Sequence, residues 1–270
     1  KLITAESSES NKIDLLNLIR ERNFLQSVIC FSLDLGALIN KTTKLRFEEV
    51  MQMCKCGHLD VWKIIYSFNK AVGRQLPNTL KMRLSELETD ILLRAIWSES
   101  GEQRCLARSM FAATNLYSDL AIKHILRLSA ERLFVISTKN FELAHQEVIW
   151  ELVKKLLFYG MNDEANSIDI SFKTNKHLDF LILASVYHVG LKNSKNLKMK
   201  DLVSAYFNTV AFPTVLSYAE FQSYYCNSFK KTVKELSGDE ALNWRVPSKS
   251  KVGLNDTPIQ SHVKKRMEDF

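Results

Sequence analysis

The chain has 270 residues, of which 46% are hydrophobic and 25% charged, with a net charge of +7. Such a composition supports one large core or two smaller ones and argues against disorder. With only 8 glycines and 4 prolines, it favours long helices over a β protein with many turns. No apolar run approaches the ~20 residues that span a bilayer, and Lys1–Glu6 lacks the pattern of a signal peptide. We therefore expect a soluble intracellular protein.

Helical periodicity and apolar runs predict the elements of the first half. In chain order these are a helix over Lys12–Arg20, an apolar helix over Phe24–Ile39, a basic loop over Lys41–Arg46, a short helix over Phe47–Met53 and an amphipathic helix over Leu59–Val72. A stripe of Leu80, Leu84, Leu87, Ile91 and Ala95 then predicts a helix that Asn78 or Thr79 caps.

The second half repeats this order after a polar linker at Ser98–Gln103. The predicted elements are helices over Cys105–Ile136 and Phe141–Tyr159, an apolar helix over Leu178–Leu191, a basic loop over Lys192–Lys198, a short helix over Met199–Asn208 and an amphipathic helix over Leu216–Leu236. The tail, Val246–Phe270, lacks a sustained period and is expected to be mostly extended.

The two apolar helices, Phe24–Ile39 and Leu178–Leu191, are hydrophobic on nearly every side. Such a helix has to be enclosed by others, so each half is expected to wrap one central helix. The predicted fold is all-α with two helical repeats. The first repeat has fewer helices before its central one, and we expect it to be truncated.

Neither a metal site nor a catalytic site is predicted. The five cysteines are scattered and indicate reduced thiols. Cys54, Cys56 and His58 resemble half of a zinc site, but no second pair follows at a suitable spacing. Nucleotide-binding, hydrolase and zinc-protease motifs are also missing from the sequence. We therefore expect a protein that is not an enzyme and needs no cofactor.

Several segments resemble the pocket of the retinoblastoma family. Residues 60–71, D-V-W-K-I-I-Y-S-F-N-K-A, are similar to "D-F-Y-K-V-I-E-S-F-x-K-A", and residues 84–100 resemble the helix that ends "L-A-W-L-S-D-S". Residues 131–133 resemble "C-E-R-L", and residues 148–152 resemble "I-I-W-T-L". Residues 176–179, 184–187 and 203–206 are similar to "R-H-L-D-Q", "C-S-M-Y" and "V-T-A-Y" in the family's order.

The resemblance implies two cyclin-like helical repeats packed side by side. Pocket A would cover residues 1–103, pocket B residues 104–245, and the tail residues 246–270. It also implies a nuclear transcriptional corepressor that restrains cell-cycle genes. The implied partners are E-two-F-type transcription factors, Leu-x-Cys-x-Glu proteins, chromatin corepressors and subunits of cell-cycle repressor complexes. No nucleic acid, membrane or small-molecule partner is implied.

Two peptide sites follow from the resemblance. The Leu-x-Cys-x-Glu groove is assigned to Tyr187, Leu191, Lys192, Lys198, Met199, Lys200, Tyr225, Cys226, Asn227 and Lys234. In this groove Leu191 stands where the family has a lysine and Cys226 where it has an asparagine, so we expect weakened or altered peptide binding. The transcription-factor groove between the repeats is assigned to Lys63, Tyr66, Lys81, Arg83, Glu88, Lys123 and Arg127.

Other classes of protein remain open at this point. A kinase-activating cyclin or a DNA-binding general transcription factor would share cyclin-like repeats, and an all-helical enzyme could hide its site. The affinity of a DNA binder would fall steeply with salt, whereas peptides held in a groove would respond modestly.

Overall fold

The computed structural model describes residues 20–40, 46–98, 106–112, 116–137, 143–161, 172–193, 197–214 and 216–237. Every regular element in these ranges is helical, which confirms the all-α prediction. In chain order the helices are α1 (Arg22–Ile39), α2 (Phe47–Cys54), α3 (His58–Val72), α4 (Asn78–Leu93), α5 (Leu106–Ala112), α6 (Leu116–Ser137), α7 (Leu143–Phe158), α8 (Leu178–Lys192), α9 (Met199–Thr209), α10 (Tyr218–Tyr224) and α11 (Lys230–Ser237). A π-helical turn, Tyr225–Phe229, joins α10 to α11, and 3-10 turns lie at Gly73–Gln75 and Ala95–Trp97.

Most predicted helix boundaries agree with the structure within a few residues. The segment predicted as one helix over Cys105–Ile136 contains α5 and α6, with residues 113–115 outside the described ranges. The predicted cap of α4 is wrong: Asn78 is its first residue, Pro77 is its N-cap, and neither Pro77 nor a described neighbour supplies a side-chain cap. The predicted helix over residues 12–19, the linker from residue 99 onward and the tail lie outside the described residues.

The chain divides into two compact units, Lys1–Ile96 and Trp97–Phe270. In the first unit α1 packs on α2 and α3, and α3 packs on α4. The predicted stripe of α4 is buried at Leu84, Leu87 and Ile91. A bidentate ion pair also joins α1 to α4, because Arg83 donates to both carboxylate oxygens of Asp34 at 2.5 and 3.0 Å.

Among the described residues, the neighbours of helix α1 do not enclose it, contrary to the sequence prediction. Its buried residues lie on one face, which the described residues cover with α2 and α3. The opposite face leaves Leu25, Ile29 and Leu33 exposed by 39%, 53% and 50%. An apolar composition on all sides therefore did not ensure burial, because within the described residues α1 has helical neighbours on one side.

In the second unit the prediction of a central helix is confirmed. Twelve of the 15 residues of α8 are buried, and α6, α7, α9 and α10 all pack against it. The predicted stripe of α7 is completely buried at Ile149, Leu152, Val153 and Leu156. Among the helices of the described residues, none has the length and hydropathy needed to cross a membrane.

The C-terminus of α7 is closed by a buried lysine from a later segment. Lys173 is 1% exposed, and its Nζ donates to the carbonyls of Leu156, Leu157 and Tyr159 at 3.0, 2.8 and 2.8 Å. Carbonyls in the last turn of a helix lack intrahelical partners and attract cations. The same Nζ lies 5.7 Å from the centre of the Trp97 ring, so Lys173 joins the beginning of the second unit to α7.

Candidate functional site

The most prominent aromatic contact among the predicted groove residues is between Tyr187 and Tyr225. Tyr187 lies on α8 and Tyr225 begins the π-helical turn, and their ring centres are 4.9 Å apart in an edge-to-face arrangement. Tyr187 is half-buried, whereas Tyr225 is only 2% exposed. The structure thus brings the two predicted tyrosines together, but Tyr187 presents more surface to a ligand.

Tyr225 is buried by neighbours on several sides. Its hydroxyl lies 3.3 Å from Nδ1 of His188, and its ring stacks on Phe229 with 5.7 Å between centres. The Nζ of Lys230 lies 5.1 Å from the ring centre, a distance typical of a cation–π contact. Burial, with smaller contributions from Tyr187 and Cys226, raises the pKa of Tyr225 above its ordinary value.

His188 has an environment that disfavours its charged form. Burial, with further contributions from the positive charges of Lys192 and Lys230, lowers its pKa to about 4. The imidazole is therefore neutral at physiological pH. Lys192 follows His188 by one turn of α8, and the Nζ of Lys230 lies over the ring of Tyr225.

The π-helical turn sets which side chains of this segment are buried. Phe221, Tyr225, Phe229 and Val233 follow one another at steps of four residues, and all four are buried. In a regular α-helix each such step turns the side chain about 40° past its predecessor, so the stripe would leave the core. A wider turn with i→i+5 hydrogen bonds compensates, and here the N–H of Lys230 donates to the carbonyl of Tyr225.

The remaining predicted groove residues of α8 and of the π turn are exposed. Leu191, one turn after Tyr187, is 46% exposed. Lys192, the next residue of α8, is exposed, and so are Cys226 and Asn227 in the π-helical turn. The Nδ2 of Asn227 donates to Oγ of Ser223 at 3.1 Å. An apolar side chain and several polar ones therefore share the solvent-facing part of this region.

Met199 and Lys200, which the resemblance assigns to a helix start that receives the glutamate of the peptide, lie at the beginning of α9. Met199 is the first helical residue and Lys198 the N-cap, and no side chain of the described residues forms a cap bond there. The Nζ of Lys200 lies over the ring of Tyr218, 5.5 Å from its centre. Lys234 is exposed on α11. The peptide contacts assigned to these residues remain predictions.

In the first unit, the residues predicted for the transcription-factor groove already have local partners. Lys63 forms a salt bridge with Asp60 at 3.0 Å, and Tyr66 stacks on Trp62 with 5.6 Å between ring centres. Arg83 contacts Glu86 at 2.8 Å in addition to Asp34, so it stabilises the fold of this unit. Lys81 and Glu88 are half-buried on α4.

Two further residues of that predicted groove belong to the second unit. Lys123 is exposed on α6, and Arg127 lies 3.2 Å from Nδ1 of His124 and 3.8 Å from a carboxylate oxygen of Glu131. A groove that combines residues of both units stays a prediction.

The sequence analysis missed a buried polar cluster that joins three of its quoted segments. Arg132 on α6 pairs with Asp179 on α8, and Asp179 also accepts from the hydroxyl of Tyr206 on α9 at 2.5 Å. That hydroxyl accepts from the N–H of Thr214 at 2.6 Å, and Arg132 donates to the carbonyl of Phe212 at 3.2 Å. Arg132, Asp179 and Tyr206 each lie in a motif that resembles the family, and this was the available signal. The sequence alone did not show that these three side chains meet.

The cysteine segment of the first unit shows no metal-binding arrangement. Burial raises the pKa of Cys30 and of Cys56, and Sγ of Cys56 donates to the carbonyl of Met51 at 3.8 Å. Within the described ranges, no group of three or more His, Cys, Asp or Glu side chains is placed to hold a metal ion.

Comparison with known proteins gives one family match. Residues 1–102 match the model of the retinoblastoma-associated protein A domain. No curated protein matches the chain. The match covers the whole first unit, and the all-helical structure is consistent with a cyclin-like pocket.

Proposed function

Because the A-domain match supports a retinoblastoma-family pocket protein, we propose that this chain is a transcriptional corepressor and adaptor of the retinoblastoma type. It restrains cell-cycle gene expression in the nucleus, and it acts by binding and not by catalysis. Its partners are E-two-F-type transcription factors, Leu-x-Cys-x-Glu proteins, chromatin corepressors and other subunits of cell-cycle repressor complexes.

The observation that carries the proposal within the second unit is the Tyr187 surface, defined here as Tyr187, Leu191, Lys192 and Lys230. The first two lie four residues apart on one face of α8 and give the surface an apolar part. Exposed lysines lie at its border. A peptide that carries both apolar and acidic side chains matches this combination, because interface aromatics anchor peptides and surface charges steer them.

A direct titration tests the peptide part of the proposal. A labelled Leu-x-Cys-x-Glu peptide is added to the full chain, and binding is followed by fluorescence anisotropy. Tyr187→Ala should weaken binding by at least about tenfold, since an aromatic anchor is lost. Tyr117→Ala, which removes a tyrosine that is 38% exposed on α6, is the control and should leave the affinity unchanged. No binding by the parent chain, or equal effects of both variants, would contradict the proposal.

Binding of the transcription factor is tested at Lys63 and Lys81. We expect an acidic E-two-F-type peptide to bind the parent chain and to lose affinity when both lysines are changed to glutamate, because like charges then face each other. Lys63→Glu also removes the salt bridge with Asp60, so thermal melts must show that the variant is folded. Lys70→Glu with Lys55→Glu, two exposed lysines of the same unit, is the charge-matched control. An equal loss in both double variants would indicate unspecific electrostatics.

A further inference from the structure

The outer face of α1 is an apolar stripe that its neighbours among the described residues leave in contact with solvent. Its exposed side chains recur at four-residue steps opposite the buried face: Leu25, Ile29 and Leu33. From residue 23 to residue 40 the sequence has one charged residue, Asp34, and its carboxylate is buried in the ion pair with Arg83. The stripe therefore carries no charge, which is typical of a surface that another helix covers.

The second unit shows how an apolar helix of this kind is covered. Four helices pack against α8, and two of them, α6 and α7, precede it in the chain. Helix α1 is followed by α2 and α3 in the same way that α8 is followed by α9 and α10. Among the described residues, no helix takes the place of α6 and α7 on α1.

The stripe is symmetric about Ile29. Leu25 precedes Ile29 by one helical turn and Leu33 follows it by one turn, so turning the helix end over end exchanges the two leucines. In two copies of α1 that cross antiparallel at Ile29, Leu25 of each copy faces Leu33 of the other. Such a contact is isologous, because both molecules use the same patch, as in most homodimers.

The charges at the two ends of α1 also complement each other. Arg22 is exposed at the first position of the helix, where the positive end of the helix dipole disfavours a cation. The last turn contains no basic residue, although a cation is favourable there. The antiparallel pairing places Arg22 of each copy opposite Gly36 of the other, near that last turn. A Cβ added at Gly36 would meet nothing within 4 Å, so the arginine side chain has room.

We propose that the outer face of α1 is a self-association site, at which two copies of this chain pair their α1 helices antiparallel about Ile29. A second copy fits better than an unrelated partner because both the apolar pattern and the end charges complement themselves. One face of a single helix supplies far fewer than the roughly 20–30 residues a side of a stable complex. We therefore expect a weak dimer, with a Kd on the order of 100 μM. This inference does not depend on the proposed function.

Sedimentation of the full chain over a range of concentrations tests the association. The average mass of the parent chain should rise with concentration towards that of a dimer. Ile29→Glu places two like charges at the crossing point and should weaken association by at least about tenfold. Phe207→Glu is the control, since Phe207 is a similarly exposed apolar residue, 43%, on α9 of the second unit, and it should associate like the parent. Thermal melts check the folding of both variants.

Cysteine cross-linking tests the register of the two helices. In a Cys226→Ser background, which removes the exposed native thiol, Ile29→Cys should form a disulfide-linked dimer with oxidised glutathione. Leu25→Cys alone should not, because the two copies of this position lie about 12 Å apart along the helices, too far for a disulfide. A mixture of Leu25→Cys and Leu33→Cys should give the linked heterodimer, and mass spectrometry identifies the linked peptides.

Several results would overturn the inference. A chain that stays monomeric at every concentration and a failure of Ile29→Cys to link would show that no second copy binds. A monomer that Ile29→Glu strongly destabilises would show that another segment of the same chain covers α1. Association that Ile29→Glu leaves unchanged would place the contact elsewhere, and equal linking by Leu25→Cys alone would exclude the antiparallel register.

Discussion

Replacing Asp179 by asparagine should destabilise the second unit far more than replacing an exposed carboxylate. Asp179 is completely buried and Arg132 is 7% exposed, so the substitution leaves the charge of Arg132 buried and uncompensated. Removal of one partner of a buried ion pair costs about 3–5 kcal/mol. For a unit of this size that loss corresponds to a fall in Tm of about 6–20 °C.

Urea denaturation followed by circular dichroism measures the loss. Glu151→Gln is the control, since Glu151 is 56% exposed and pairs with Lys154 at 2.6 Å on α7 of the same unit. It should cost less than about 1 kcal/mol. The double variant Arg132→Met with Asp179→Leu should recover much of the stability that Asp179→Asn loses, because no buried charge then remains unpaired.

The reasoning is refuted if Asp179→Asn costs no more than Glu151→Gln. It is also refuted if the double variant loses the sum of the losses measured for Arg132→Met alone and for Asp179→Leu alone, because independent sites are additive and a coupled pair is not.

Three further predictions concern single side chains. Lys173→Met should destabilise the second unit by roughly 1–3 kcal/mol in the same denaturation assay, because three carbonyls lose a buried donor, and an unchanged midpoint would contradict that role. The pKa of His188 is lowered to about 4 from an ordinary value of 6.5, so stability should fall by up to about 3 kcal/mol as the pH drops from 6.5 to 4, where the unfolded chain binds a proton that the folded chain does not. His188→Phe should remove that loss in denaturation curves at pH 7 and pH 4.5, and an unaltered pH dependence would contradict the assignment. Finally, a maleimide should label exposed Cys226 much faster than Cys30, which is completely buried with a raised pKa; equal rates by mass spectrometry would be inconsistent with this burial.

The sequence was sufficient to predict those features that depend on local pattern. The stripes of α4 and α7 were found because apolar residues recur with the helical period. Helix α8 was recognised because its apolar residues surround the axis, and in the structure it is indeed enclosed. The order of a short helix followed by a longer helical segment after each apolar helix was predicted for the same reason.

Features that depend on tertiary contacts were not predicted. The same apolar character led to the expectation that α1 would be enclosed, yet Ile29 and Leu33 are half exposed, because enclosure depends on neighbours and not on the helix itself. Arg132 and Asp179 are 47 residues apart in sequence, and nothing in either segment indicates the other. The π turn was also missed, although the repeated four-residue spacing from Phe221 to Val233 was a signal for it.

The location of Lys173 makes its amine a chemical reporter of the second unit. Acetylating reagents attack amines that water can reach, and this amine is enclosed by carbonyls and aromatic rings. Its modification therefore requires that the end of α7 open, so the rate of acetylation at this one lysine measures how often that region opens under native conditions. A peptide that stabilises the second unit would slow this reaction wherever it binds.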